Sequence, residues 1–132
     1  MSVQESWALP GSSGQATIRA LVERADALDV TSLGGVPVVA RLSGRDAVRR
    51  HVDGRTEALG WAPSDLLVIE LTGGQRAMLR PSGTEPKLKL YFDARAEPRV
   101  GESIVDARAR AQAAARAIRD DLVEHLGGAP LS

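Results

Sequence analysis

The sequence predicts an α+β fold, in which helices pack on one face of an antiparallel sheet of about four strands. Residues 66–80 predict a hairpin, because two apolar runs flank Gly73-Gly74, and paired glycines suit the positive φ angles of tight hairpin turns. Residues 104–126 repeat small and aliphatic side chains at helical spacing, and Ser103 with Asp106 is typical of a helix start. A helix laid on a sheet buries the apolar face of both elements.

The N-terminal quarter of the chain carries weaker signals. Residues 1–14 mix small and polar side chains without a period, and we expect a flexible lead-in there. Apolar residues three and four apart predict a helix within residues 15–32, which we interpret as a helical linker. Residues 33–128 are then the single folded domain, and residues 129–132 are a tail.

The remaining elements follow from local pattern. The β-branched run at residues 36–41 predicts the first strand, whereas residues 46–52 are compatible with a short helix because Val48 and Val52 share a face. Residues 88–94 alternate apolar and polar side chains and predict the last strand. Six strand residues are expected to be buried under the last helix: Leu67, Ile69, Leu79, Leu88, Leu90 and Phe92.

Composition excludes several classes of function. The 17 basic residues equal the 17 acidic ones, so the net charge gives no reason to expect nucleic acid or an anionic membrane as partner. Cysteine is absent, which rules out disulfides and thiolate chemistry. Neither His51 nor His125 has a second ligand at metal-binding spacing, so no metal site is predicted. No apolar run is long enough to span a bilayer and no secretory pattern is present, so we expect a cytoplasmic protein.

The stretch with the most chemical content is Arg80-Pro81-Ser82-Gly83-Thr84-Glu85-Pro86-Lys87. Gly83 can adopt positive φ, so the amides of Ser82, Gly83 and Thr84 can converge on an anion. Arg80 offers a planar guanidinium that matches phosphate geometry, and the two hydroxyls supply further donors. A phosphate monoester is the expected guest, although the same composition is also typical of an ordinary tight turn.

The eight-residue run, followed by an alternating strand, resembles the phosphate-binding loop in the C-terminal domain of the α-D-phosphohexomutases. This superfamily contains phosphomannomutase and phosphoglucomutase. The order and spacing of residues 33–126 are similar to the whole last domain of the bacterial type. The resemblance implies a fold like that of the TATA-binding protein, without its role in nucleic-acid binding.

The resemblance also implies a function. Phosphohexomutases move a phosphate between the 1- and 6-positions of a hexose through a phosphoserine in one domain, with Mg²⁺ held in another. Neither the Ser-His-Asn-Pro-like nor the Asp-Gly-Asp-Gly-like motif of those domains occurs here, so we expect no catalytic residue, metal ligand or cofactor in this chain. By resemblance, Arg80, Ser82, Gly83, Thr84 and Lys87 bind the phosphate that is not transferred.

The expected partners are a hexose 1- or 6-phosphate and the remaining domains of the enzyme. Mg²⁺ is expected in the complete enzyme alone. A free-standing module that binds a phosphosugar or another anion without catalysis is the alternative, and the residues leave the identity of the sugar open.

Overall fold

An antiparallel sheet is the largest element of the computed structural model, which describes residues 2–9, 13–82 and 85–128. The strands are β1 (Ser2–Ala8), β2 (Ser32–Leu33), β3 (Val36–Ser43), β4 (Val48–His51), β5 (Thr56–Ala58), β6 (Leu67–Leu71), β7 (Arg76–Pro81) and β8 (Lys87–Asp93). Their order in the sheet is β1-β8-β7-β6-β3-β4-β5, with β2 paired to β3. The α+β class is therefore confirmed, but the expected number of about four strands is too low.

Two helices complete the fold. Helix α1 spans Gly14–Asp26 and helix α2 spans Ile104–His125. As predicted, Ser103 caps α2, and its hydroxyl accepts a hydrogen bond from the amide of Asp106 at 3.1 Å. Such a cap satisfies one of the amide donors that every helix start leaves unpaired.

The core lies between the two helices and one face of the sheet. The six strand residues expected to be buried are at most 1% exposed. They pack in one apolar cluster with Ile118 and Leu122 of α2 and with Ile18 and Val22 of α1. Because α1 contributes to the same core, the segment interpreted as a linker is part of the packed domain.

The prediction differs most from the structure at residues 1–14, where a flexible lead-in was expected. Residues 2–8 form strand β1, which pairs with β8 along its whole length. Trp7 is buried with 7% exposure, and its indole Nε1 donates to a carboxylate oxygen of Glu5 at 3.0 Å. Arg119 of α2 holds the same carboxylate, with its NH2 group 3.1 Å from Oε2. This clamp, formed by Glu5, Trp7 and Arg119, ties the N-terminal strand to the last helix.

The short helix proposed for residues 46–52 is wrong. Residues Val48–His51 are instead strand β4, which pairs with β3 on one side and with β5 on the other. The preceding turn contains Ala47, whose φ of 53° makes it the one non-glycine residue with positive φ in the described part of the chain. Extended backbone on both sides of this turn leaves no room for a helix.

Strand pairing arranges the helix-free face of the sheet in three rows, since alternate side chains point to opposite faces. The first row contains Glu70, Arg76 and Asp93 and is charged. Arg76 Nε lies 2.8 Å from Asp93 Oδ2, and Glu70 Oε1 lies 2.6 Å from Nε of Arg49 on β4. The middle row is apolar and consists of Leu42, Val68, Met78 and Tyr91. The third row, next to the predicted phosphate loop, is basic and contains Arg80 and Lys89. No helix among the described residues is long and apolar enough to cross a membrane.

Candidate functional site

The predicted phosphate loop connects β7 to β8 at one end of the sheet. Its described base is closed by a hydrogen bond from the amide of Ser82 to the carbonyl of Lys87, at 2.9 Å. Gly83 and Thr84 lie outside the described residues, so their predicted contributions stay predictions. The described loop residues nevertheless join strands that are paired in register up to Pro81 and Leu88.

A second set of contacts fixes the downstream side of the loop. The carbonyl of Pro86 accepts a hydrogen bond from the amide of Leu9 at 2.8 Å, directly after β1. Gly14 begins α1 at this point, and a Cβ there would lie 1.8 Å from the carbonyl oxygen of Leu9 and 3.0 Å from Cβ of Pro86. The residue after β1 and the start of α1 therefore contact the downstream side of the loop, at Pro86.

The basic residues near the loop differ in whether they have a partner. Lys87 Nζ lies 3.0 Å from Glu85 Oε2, so part of its charge is already balanced. Arg80 is exposed at the end of β7 and lies directly opposite Lys89 in the strand register. Within the described ranges, neither Arg80 nor Lys89 forms an ion pair or a side-chain hydrogen bond. Two neighbouring cations without a counter-charge create a local positive field that favours an anion.

Two other arginines near this face are balanced. Arg76 of the charged row and Arg49 of β4 each contact a carboxylate. Partial burial acts to raise the pKa of Asp93, but hydrogen bonds from Ser2 and Arg76 bring it below its usual value. Arg80 and Lys89 therefore differ from Arg76 and Arg49 in having no carboxylate partner among the described residues.

A groove of about 520 Å³ lies beside Arg80. Its lining residues are Ser64, Asp65, Leu66, Met78, Arg80, Pro81 and Ser82. The volume falls within the range of about 300–1,000 Å³ that is usual for small-molecule sites. Residues 64–66 come from the segment before β6, which the sequence analysis did not assign to the site.

That segment is held by backbone hydrogen bonds to the turn before β4. The amide of Gly44 donates to the carbonyl of Leu66 at 2.7 Å, and the amide of Ser64 donates to the carbonyl of Gly44 at 2.8 Å. The amide of Leu59 donates to the carbonyl of Ala47 at 2.9 Å. Residues 59–66 are therefore fixed at both ends, and we refer to them as the groove loop.

The described residues do not fit a metal ion. They contain no group of three or more histidine, cysteine, aspartate or glutamate side chains that could bind one. His51 is hydrogen-bonded to Glu57, and His125 Nε2 lies 3.3 Å from Asp121 Oδ1. A chemical step through Mg²⁺ cannot be derived from these side chains.

Comparison with known proteins agrees with this geometry. Residues 13–111 match the family described as phosphoglucomutase/phosphomannomutase, C-terminal domain. The chain belongs to this family. A "Probable phosphomannomutase" of Haemophilus influenzae is 62% identical over 32 residues, which are 24% of this chain and 7% of that protein. The matched part of the chain therefore spans only a small fraction of this curated relative.

Membership of the phosphohexomutase C-terminal domain family confirms the resemblance drawn from the loop and its flanking strands. The sequence analysis named Arg80 and Ser82, which the structure places together on the groove. It missed Lys89, although the alternation of residues 87–93 puts Lys89 on the same face as Lys87. It also missed Ser64 and Asp65, although the predicted hairpin of residues 66–80 indicates that the residues just before it lie near Arg80.

Proposed function

We propose that this chain is the part of a phosphohexomutase that binds the phosphate not being transferred, and thereby orients the hexose for phosphoryl transfer at a serine in another domain. The observation that carries the proposal is that Arg80, which lines a groove beside the RPSGTEPK loop, and Lys89, opposite it in the strand register, have no ion-pair partner among the described residues. A planar guanidinium binds two phosphate oxygens at once, which fixes orientation as well as position. The substrate class is a hexose 1- or 6-phosphate.

The catalytic groups of this proposal lie outside the chain. Phosphoryl transfer needs an in-line nucleophile and, in the proposed enzyme, Mg²⁺ to neutralise developing charge. The sequence contains neither family motif that would supply them. Arg80 and the loop beside it can bind the phosphate that is not transferred and thereby hold the sugar in one orientation. Less entropy is then lost in reaching the reactive geometry.

The proposal is tested by Arg80→Ala in the complete enzyme. A hydrogen bond to a charged group contributes roughly 1.5–3 kcal/mol, so we expect kcat/KM for the hexose phosphate to fall about tenfold to a hundredfold. Folding stability should change by less than about 0.5 kcal/mol, because Arg80 is exposed. Steady-state kinetics and urea unfolding measure the two effects.

Arg76→Ala is the matched control for this experiment. Arg76 lies on the same strand and the same face, but its charge is already paired with Asp93. We expect the kcat/KM of the Arg76→Ala enzyme to stay close to that of the unmodified enzyme. An Arg80→Ala enzyme that folds normally and keeps its kcat/KM would show that this loop does not hold the phosphate.

The proposal also predicts that the purified 132-residue chain alone converts no hexose 1-phosphate to 6-phosphate, even with Mg²⁺ and the bisphosphate activator. The physical reason is the absent nucleophile. A coupled assay for hexose 6-phosphate measures this, and turnover that copurifies with the chain through two columns would contradict it. Binding of phosphosugar without turnover, in an organism whose gene encodes no further domain, would favour the free-standing binding module instead.

A further inference from the structure

We infer that the groove beside Arg80 also contacts the sugar ring of the hexose phosphate, with Asp65 accepting hydrogen bonds from ring hydroxyls and Trp61 packing against the apolar side of the ring. This inference depends on the phosphate-binding function proposed above. It adds contacts between this domain and the sugar ring to the phosphate contacts proposed above.

The position of Asp65 is the first argument. Asp65 is exposed and lines the same groove as Arg80 and Ser82, yet no ion pair joins it to Arg80 or to any other described residue. A free carboxylate next to a site for a bare anion would weaken binding by repulsion. The same carboxylate accepts hydrogen bonds from hydroxyl groups, and charge-assisted bonds of this kind are stronger than neutral ones. A ligand that carries both a phosphate and hydroxyl groups can bind Arg80 and Asp65 together.

The exposure of Trp61 is the second argument. The chain has four aromatic residues, and Trp61 is the one tryptophan with a large exposed surface, at 52%, while Trp7 is buried. Trp61 borders a smaller hollow of about 210 Å³ that shares Leu66 and Met78 with the groove. The two hollows are therefore adjacent on the helix-free face. A half-exposed indole beside a polar groove offers a flat apolar surface for one side of a sugar ring.

The rigidity of the groove loop is the third argument. Ala47, whose carbonyl anchors Leu59, has a φ of 53°, which is unfavourable for a residue with a Cβ. Gly44 anchors the other end, and a Cβ there would lie 2.5 Å from Ser64 Oγ and 2.9 Å from the carbonyl oxygen of Leu66. A loop fixed at both ends presents Asp65 and Trp61 in one arrangement, so less conformational freedom is lost when a ligand binds.

Titration by nuclear magnetic resonance tests the inference, with the 132-residue chain and two probes, inorganic phosphate and glucose 6-phosphate, near neutral pH. The quantity to compare is the sugar preference, defined as Kd for phosphate divided by Kd for glucose 6-phosphate. We expect a preference of about tenfold in the unmodified chain, equivalent to one good charge-assisted hydrogen bond. Asp65→Ala and Trp61→Ala should each lower the preference several-fold, whereas Trp61→Phe should largely retain it.

Arg80→Gln and Glu124→Ala are the controls. Arg80→Gln should weaken both probes by the same factor and leave the preference unchanged. Glu124 is an exposed carboxylate on α2, across the sheet from the groove, so Glu124→Ala should alter neither affinity nor preference.

The possible results separate this inference from the proposed function. If phosphate binds and Arg80→Gln weakens both probes, but Asp65→Ala tightens both alike, then Asp65 acts only as a nearby negative charge and the sugar contact is overturned. The same conclusion follows if glucose 6-phosphate binds no better than phosphate. If neither probe shifts the resonances around Arg80, and Arg80→Gln leaves the Kd of both probes unchanged, the phosphate-binding function itself fails.

Discussion

At the scale of single residues, the proposed function depends on which charges are left without a partner. Arg76 and Arg80 are on one strand and one face, four positions apart, but Arg76 contacts Asp93 and Arg80 has no partner in the described part of the chain. A paired arginine stabilises the sheet modestly, whereas an unpaired one is available to a ligand. The chemistry of the two side chains is identical, so their neighbours decide their roles.

Gly44 is the residue whose backbone contacts place the groove loop. We expect Gly44→Ala to lower the free energy of unfolding by about 1–3 kcal/mol, because the added Cβ would overlap with Ser64 Oγ at 2.5 Å and force the loop outward. Trp61 should then become more exposed and its fluorescence emission should shift to the red. Urea unfolding and the emission spectrum measure the two effects.

Gly35→Ala is the comparison for this variant. Gly35 has a φ of 79° with open space around its hypothetical Cβ, so alanine there introduces backbone strain of about 1 kcal/mol without a steric overlap. Its emission spectrum should match that of the unmodified chain. A Gly44→Ala protein with unchanged stability and emission would show that the loop is not fixed by this close approach.

At the scale of elements, sequence pattern predicted the central strands and missed those at the edges. Strands β7 and β8 bury alternate apolar residues and so give a period-two signal, whereas β6 is apolar and buried along most of its length. In β1 the residue between inward-facing Val3 and Trp7 is Glu5, a carboxylate that breaks the apolar period. Its burial is possible only because Arg119, more than a hundred positions away, pairs with it. No local pattern contains that information.

The same reasoning explains β4, β5 and the groove. Strand β5 is exposed along its whole length, and β4 carries two arginines, so neither shows an apolar face. The position of the predicted phosphate loop between β7 and β8 follows from contiguous residues. Asp65 lies just before the hairpin that the sequence predicted, but a single aspartate outside any motif gave no signal of a site until the groove beside Arg80 was seen.

The clamp between β1 and α2 gives the domain a pH-dependent element. The hydrogen bond from Arg119 holds the pKa of Glu5 below its ordinary value of 4.5. A carboxyl group with a lowered pKa contributes stability above its unfolded pKa and loses it as the pH falls through the folded value. We therefore expect the free energy of unfolding to decline below about pH 4.5, and Glu5→Gln to make this decline shallower.

Urea unfolding of both proteins at a series of pH values measures the effect. Glu102 provides an internal comparison, since hydrogen bonding by Arg110 lowers its pKa to about 2. The contribution of Glu102 to the free energy of unfolding persists in Glu5→Gln, so part of the decline of stability at low pH should remain. Identical pH profiles of the two proteins would show that the clamp adds no stability.

At the scale of the whole molecule, residues from both ends of the described chain build one core. Trp7 packs in the same cluster as Leu122 and Leu126, so residues 2–8 are structural and not an appendage. We expect deletion of residues 1–8 to remove several kcal/mol of stability, because loss of a buried tryptophan alone costs about 3–5 kcal/mol and a domain has only about 5–15 in total.

Thermal unfolding followed by circular dichroism measures the effect of this deletion. Trp7→Phe is the control, since it keeps most of the buried apolar surface and the strand itself. We expect a cooperative transition for Trp7→Phe and a weak or absent one for the truncated chain. Equal melting temperatures for the truncated and intact proteins would contradict a structural role for β1.

The pairing of β1 with β8 sets an order of events during synthesis on the ribosome. Ser2 lies opposite Asp93, so β1 of this domain cannot pair until β8 has also left the ribosome. Bringing two strands together across so many residues is entropically slow compared with forming the adjacent β6–β7 hairpin. Until β8 is available, β1 is an unpaired strand with an exposed tryptophan, and this is the stage at which a chaperone would have the most apolar surface of this domain to bind.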